Sequence, residues 1–227
     1  MKPNIIRFDP QSQPEIIPAL VECYREVFSD VPWNEWKRCA VCGTYWGKKD
    51  LAHLQQMEFL HCGRLLVDFW EVEHVEEEIH HRITPEASCY IAIAPDGSTI
   101  GFTWGFPATF DYLEEDLKIS IREKFQAQFG TAPVLVAYQN EIGVDVKYRG
   151  QKIAKNMYIS RSEDFIAKEL TYGVVRTRQF PEPSVTFSWF TEKLGYKIIA
   201  RYPGDDGRVI LAQRLEDAHR LALIDNV

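Results

Sequence analysis

The chain has 227 residues, 45% of them hydrophobic and 26% charged, which is apolar material for one large core and too little charge for a disordered polymer. A net charge of −7 without a basic run excludes nonspecific binding to nucleic acid or to a membrane surface, so neither is expected as a partner. The first residues show no charged-then-apolar signal pattern, no apolar run approaches eighteen residues, and an odd number of cysteines (five) argues against a disulfide framework. A soluble, cytoplasmic protein is expected, monomeric or homodimeric.

Residues 4–8 read as a short strand that Pro10 ends. Over residues 13–30, Ile16, Ile17, Leu20, Tyr24, Val27 and Phe28 recur at helical spacing. Residues 31–69 contain Trp33, Trp36, Trp46 and two Cys-Gly pairs but no sustained period. The stretch at about 31–70 is therefore read as an insertion in a single domain that spans residues 1–227. Residues 71–82 predict a helix with an acidic face. Residues 89–94 and 100–105 predict two strands around Pro95-Asp96-Gly97-Ser98, because Asp-Gly between β-rich runs supplies the positive φ of a hairpin turn. One polar helix is expected over residues 111–129, a long strand over 134–146 and a helix from near Gly150. A strand follows over 172–178, then a helix over 184–194 introduced by Pro181 and Pro183. Residues 196–201 and 208–215 close the chain as a hairpin around Gly204-Asp205-Asp206-Gly207. This order implies an α/β fold, one mixed central sheet with helices on both faces.

Residues 140–154 carry most of the functional signal. A strand ends in a tight turn that feeds a helix N-terminus, whose unpaired N–H groups and partial positive charge suit a phosphate. Gly150 allows backbone to approach a ligand closely, or merely makes the turn. Val144, Arg149, Gly150, Ile153 and Ala154 resemble the GNAT superfamily of acyl-CoA N-acyltransferases, whose pattern is an apolar strand ending in Val, a short turn, then Arg-Gly-x-Gly-x-Gly/Ala. Lys152 stands where that pattern has Gly. The hairpin around Asp96-Gly97 resembles the family's second and third strands, and Phe190-Thr191-Glu192-Lys193-Leu194-Gly195-Tyr196 resembles its aromatic-Tyr-x-Lys-x-Gly-Phe segment. The resemblance covers most of the chain. It implies a GNAT-like sheet with a splayed strand pair and acetyl-CoA as cosubstrate, held by Ile142, Gly143, Val144, Arg149, Gly150, Gln151, Lys152, Ile153 and Ala154.

The resemblance further implies direct transfer of an acetyl group to a primary amine, on a small molecule or a protein, without a covalent enzyme intermediate. The Val144 backbone N–H takes the family's position beside the thioester oxygen. Strand alternation puts Ile142 and Val144 on one face and Glu141 on the other, and Glu141 is the base, acting directly or through water. A bulge would hand that register to Asn140. Thr191 occupies the family's Tyr position, so Tyr196 is carried as the acid, with Tyr158 a second candidate by type. Ser184 stands where the family often has an Asn that meets the cofactor, and is equally a helix cap. Lys152 and Thr191 keep open an alternative, a catalytically silent module that binds CoA or a protein partner.

Cys39-Ala-Val-Cys42-Gly43 has the form of a zinc knuckle, a spacing that lets two thiolates reach one ion. Cys62-Gly63 repeats the form, but Phe59 stands where a complete ribbon would place its fourth cysteine. His61 or His53 must then complete the set, and His61 abuts Cys62, which strains joint ligation. Cys39, Cys42, Cys62 and His61 are the expected ligands of a structural zinc in a degenerate ribbon, the alternative being buried reduced cysteines. Cys23 and Cys89 fall in an apparent helix and strand and are expected in the core. The acidic balance disfavours a nucleic-acid adaptor built on this ribbon.

Overall fold

The computed structural model describes residues 3–180, 184–204 and 207–224. Pro181, Pro183, Asp205 and Asp206, to which the sequence assigns a helix entry and a hairpin turn, lie outside the described residues. The chain runs β1 (Asn4–Arg7), α1 (Ile17–Phe28), β2 (Lys37–Arg38), β3 (Tyr45–Trp46), α2 (Leu51–Gln56), β4 (Leu60–His61), β5 (Arg64–Leu65), β6 (Val67–Asp68) and α3 (Val72–Arg82). It continues through β7 (Ser88–Ile93), β8 (Thr99–Ala108), α4 (Phe110–Leu117), α5 (Arg122–Phe129), β9 (Val136–Val144) and α6 (Ile153–Ala167). It ends with β10 (Tyr172–Arg178), α7 (Val185–Ser188), β11 (Lys197–Arg201), β12 (Arg208–Arg214) and α8 (Leu215–Ile224). Among the described residues, no helix is long and apolar enough to cross a membrane.

Seven strands form one mixed sheet in the order β1-β7-β8-β9-β10-β12-β11, in which only β9 and β10 run parallel. Both faces are covered. On one, Tyr24 of α1 stacks on Phe102 and Trp104 of β8, with ring centroids 5.4 and 5.8 Å apart. On the other, α6 buries Met157, Tyr158 and Phe165, and α8 buries Ala218 and Ala222. Each large apolar side chain so covered contributes about 1.5–3 kcal/mol.

The site-forming feature is a parting of strands. β9 and β10 pair only at Gly173↔Ala137 and Val174↔Tyr138, and beyond these residues β9 continues to Val144 without β10. A β-bulge marks the parting. Trp104 faces Glu141 and Phe106 faces Tyr138, so the single residue Gly105 opposes both Gln139 and Asn140. A Cβ at Gly105 would lie 2.4 Å from the Tyr138 carbonyl oxygen, so only glycine fits there. Arg161 of α6, fully buried, donates to the carbonyls of Trp104 (2.9 Å) and Glu141 (2.8 Å) and to the Gln139 side-chain oxygen.

Three expectations change. The helix over 111–129 is two helices, because Lys118 turns left-handed (φ 55°) and the chain then buries Ile119 and Ile121. Glu114 fixes the break by accepting from the Ile121 and Arg122 backbone N–H groups at 2.6 and 2.8 Å. The segment 184–194 is one short α-helical piece running into a π-helical turn, Trp189–Lys193. The closing hairpin is not the last element, since α8 follows it.

Arg161→Leu removes the guanidinium from the Trp104 and Glu141 carbonyls and from the Gln139 side-chain oxygen, leaving the Thr103 hydroxyl as the side-chain donor to Glu141 O, and should cost about 3 kcal/mol or more. Urea unfolding should show a lowered midpoint at unchanged slope. A midpoint within error of wild type would mean that the bulge holds without the guanidinium.

Candidate functional site

Two pockets open where β9 and β10 part. The first, of about 350 Å³, lies between the end of β9, the turn that enters α6, and α7. The Asp145 backbone N–H donates to Ile100 O at 2.9 Å, which makes Gly101↔Val144 a non-hydrogen-bonded pair. The Val144 N–H therefore points away from β8, into the space that β10 has left. Arg149 Nε returns to the Val144 carbonyl at 3.1 Å, and the Asp145 carboxylate accepts from Lys147 N at 2.9 Å, so the turn is held from both ends.

Gly150 (φ 79°) and Lys152 (φ 62°) are both left-handed in this turn. The conformation explains the glycine expected at 152, and a side chain there costs roughly 1–2 kcal/mol. Every residue the sequence assigns to the cofactor lines this pocket except Gln151. Ser184 lines it too, but its hydroxyl accepts from Phe187 N at 2.9 Å and lies 2.8 Å from that of Thr177, so it caps α7.

The second pocket, of about 450 Å³, lies on the α1 side of the sheet and meets the first at Trp33, Ile142 and Thr186. Its apolar wall is aromatic, with Tyr24, Phe28 and Trp70 among the rings. Glu141 and Asn140 both line it. Because the bulge resets the alternation, Glu141 shares a face with Tyr138 three residues before it. Burial pushes the Glu141 carboxyl up to about 7, with Arg176 opposing the shift. Asn140 Nδ2 donates to Glu141 Oε1 at 3.4 Å.

The sequence missed a second carboxylate, Glu35, at this pocket. Burial pushes it up to about 7 as well, although Trp70 Nε1 donates to its Oε2 at 3.0 Å. Glu35 sits in the aperiodic insertion, and its only sequence signal is its place between Trp33 and Trp36.

Tyr196, expected as the acid, lines neither pocket. It is 3% exposed and accepts from Gln139 Nε2 at 2.9 Å, with the Tyr158 hydroxyl 3.3 Å away. Burial holds its phenol well above the ordinary tyrosine range. Its geometry is that of a core hydrogen-bond partner, and Tyr158 shares it. The Thr191 hydroxyl donates to Phe187 O at 2.9 Å, so it too is spent on backbone.

Residues 31–70 are ordered by small sheets, β3-β2-β6 and β4-β5. Their turns bring Cys39, Cys42, His61 and Cys62 together, with ligand atoms all within 4.8 Å of one another. The strain expected between His61 and Cys62 is relieved because Cys62 (φ 49°) and Gly63 (φ 73°) make a left-handed hairpin turn. His61 Nδ1 comes within 3.5 Å of Cys42 Sγ and 3.3 Å of Cys62 Sγ. Phe59 packs edge-on against Trp36 instead of offering a ligand. Backbone donors from Cys42 and Val41 lower the Cys39 thiol, the Thr44 hydroxyl and backbone lower Cys42, and the neighbouring cysteines push Cys62 up to about 11. Such thiols ionise together only beside a cation. The spacing suits a tetrahedral ion with sulfur ligands about 2.3 Å away. Cys23 and Cys89 are buried, as expected.

No protein-family model matches the sequence, and no curated protein matches it. Solved structures do. One is the PaiA N-acetyltransferase of Thermoplasma acidophilum in complex with coenzyme A, 15% identical, covering 94% of this chain and 99% of its own, with a TM-score of 0.53. An aminoglycoside 6'-N-acetyltransferase complexed with coenzyme A is 14% identical over 93% of this chain and 97% of its own, with a TM-score of 0.51. A GNAT-family acetyltransferase from Staphylococcus aureus is 15% identical over 94% and 99%, with a TM-score of 0.50. The chain has the fold of the GNAT acetyltransferases.

Proposed function

We propose that this chain is an N-acetyltransferase that moves an acetyl group from acetyl-CoA directly to a primary amine. The observation that carries the reading is the meeting of two pockets across the parted strands. A turn-and-helix terminus suited to pyrophosphate lies on one side, and a half-buried carboxylate, Glu141, on the other. The coenzyme A complexes among structures of this fold support the cosubstrate. Five free cysteines support a cytoplasmic setting.

In this reading the pyrophosphate sits at Gly150 to Ala154, and the pantetheine runs beside Ile142 to Val144. The Val144 N–H donates to the thioester oxygen as its negative charge develops. The acceptor nitrogen attacks the carbonyl carbon, its proton passes to Glu141 directly or through water, and the C–S bond breaks to release the CoA thiolate. A carboxyl pushed up to about 7 suits that duty, because it is in part ionised near neutral pH and is more basic than an ordinary carboxylate when it takes the proton. Cys39, Cys42, His61 and Cys62 hold a structural zinc, closed by four protein ligands.

A hundredfold excess of acetyl-CoA over its dissociation constant should stabilise the protein by about 2.7 kcal/mol, seen as a rise in Tm. Release of CoA thiol in the presence of an amine should increase with pH through about 7, as Glu141 loses its proton. Glu141→Gln should keep the thermal shift, lower kcat roughly a hundredfold and remove that pH limb. No shift with acetyl-CoA would overturn the cosubstrate. A shift without thiol release for any amine would identify the silent binding module.

Protein purified without chelator or metal-affinity resin should contain about one zinc per chain by elemental analysis. Cys39→Ser should lose the metal and expose residues 31–70 to protease while the acetyl-CoA shift persists. Metal content near zero in reduced, folded protein would return the four side chains to the reading of unmetallated thiols.

A further inference from the structure

The pocket on the α1 side is charged on both flanks. Glu141 comes from β9, and Arg176 and Arg178 come from β10, two residues apart and so on one face of that strand. The two strands diverge at this point, so the carboxylate and the guanidinium groups stand on opposite flanks of open space. Arg208 pairs with Arg178 across β10 and β12, which puts a third guanidinium on the same face. Arg178 lies over the Trp33 ring at 5.7 Å and Arg208 over Tyr202 at 4.7 Å.

Among the described residues, neither Arg176 nor Arg178 forms an ion pair; Arg176 hydrogen-bonds to Tyr202, and the Arg178 Nε is buried without a partner. Glu35 and Glu141 line the pocket too, and Arg178 opposes the upward shift of Glu35 and Arg176 that of Glu141, but among the described residues neither carboxylate forms an ion pair with Arg176 or Arg178. A guanidinium group is shaped to grip a carboxylate or a phosphate through two parallel hydrogen bonds.

Resting on the acyl-transfer reading, we propose that the acceptor is an amine that also carries an anionic group, on an apolar or aromatic body. Its nitrogen lies toward Glu141 and its anion on Arg176 and Arg178. Glu35, whose Oε2 accepts from Trp70 Nε1, lines the same pocket, and the rings of Tyr24, Phe28 and Trp70 cover the body. A polycation fits poorly, because Arg176 and Arg178 share the pocket with two carboxylates that are only partly ionised near neutral pH.

The test compares ligands that differ in the anion. Calorimetry on CoA-saturated protein should show L-phenylalanine binding at least tenfold more tightly than phenethylamine, and spermidine binding least. O-phosphoethanolamine separates phosphate from carboxylate as the preferred anion, and tighter binding by either compound than by phenethylamine supports the proposal. Arg176→Gln should reduce the ratio between anionic and anion-free amines toward one, and retention of the acetyl-CoA thermal shift shows that this variant is folded. Phenethylamine or spermidine binding as well as the anionic amines would overturn the proposal, as would the absence of binding by both anionic compounds or an unchanged ratio in Arg176→Gln. The acetyl-CoA shift of the wild-type protein is read separately, so failure of the acceptor class is distinguishable from failure of the acyl-transfer reading.

Discussion

The site depends on a buried cation with no carboxylate to meet it among the described residues. Burying a guanidinium is costly unless hydrogen bonds replace its water, and Arg161 finds three acceptors on or beside the bulge in β9, with the Tyr158 ring 6.0 Å away. Burial lowers Arg161 to about 10, which leaves it charged at neutral pH. At the bulge the guanidinium bonds the carbonyls of Trp104 and Glu141, the second of which also accepts from the Thr103 hydroxyl, and so braces β9 beside the point where it parts from β10. The same arginine orients Gln139, which passes a hydrogen bond to Tyr196 and so fixes that phenol in the core. One side chain thus sets the opening between the pockets, the face on which Glu141 stands, and the burial of the nearest tyrosine.

The second constraint is the attachment of residues 31–70. Their buried apolar residues are only Cys39 and Leu54, far too little to order forty residues. The partly buried rings of Trp33 and Trp70, packed on Tyr24 and Phe28, dock the segment on α1 together with ion pairs and backbone contacts. Arg25 donates to Trp70 O at 2.9 Å and pairs with Asp68 at 2.9 Å, and Lys37 reaches the same carboxylate at 2.5 Å. Half-exposed ion pairs contribute little each. The proposed zinc supplies what the segment lacks, by tying the turn at Cys39 and Cys42 and the turn at His61 and Cys62 to one point. The consequence reaches the site, because Trp33, Glu35 and Trp70 of this segment are walls of the acceptor-side pocket.

What was legible in the sequence was whatever depended on neighbours in the chain. The Asp96-Gly97 hairpin, the strand over 172–178 and the turn at 149–154 follow from local chemistry, and they formed where expected. Cys39, Cys42 and the His61-Cys62 pair were readable for the same reason, although their meeting required two turns to fold together. The bulge could be raised only as an alternative, because it depends on Arg161, twenty residues beyond Glu141 and on another element. Glu35 was invisible because it lies in a segment without periodicity. The turn at Lys118 was invisible because a lysine in the left-handed region carries no compositional warning. The helix α8 does show Leu215, Ala218 and Ala222 at helical spacing, but two of the three are alanines and make a faint stripe.

Neither Tyr196 nor Tyr158 lines either pocket, and this bears on the chemistry. Tyr196 and Tyr158 are engaged with each other in the core, and the Thr191 hydroxyl bonds to a helical carbonyl. An acid is needed where the leaving group is a strong base, as in amide or ester alcoholysis. A thiolate of ordinary pKa near 8.5 departs without one at neutral pH, and its charge can be taken up by solvent in an open cleft. The harder task in the proposed transfer is the other proton, since a free alkyl ammonium holds it to about 10. That task falls on the acceptor side, where the two raised carboxylates are found. In the proposed reading the two raised carboxylates thus stand where an amine attacking a thioester needs a base, while the phenol of Tyr148 lines the pocket on the cofactor side.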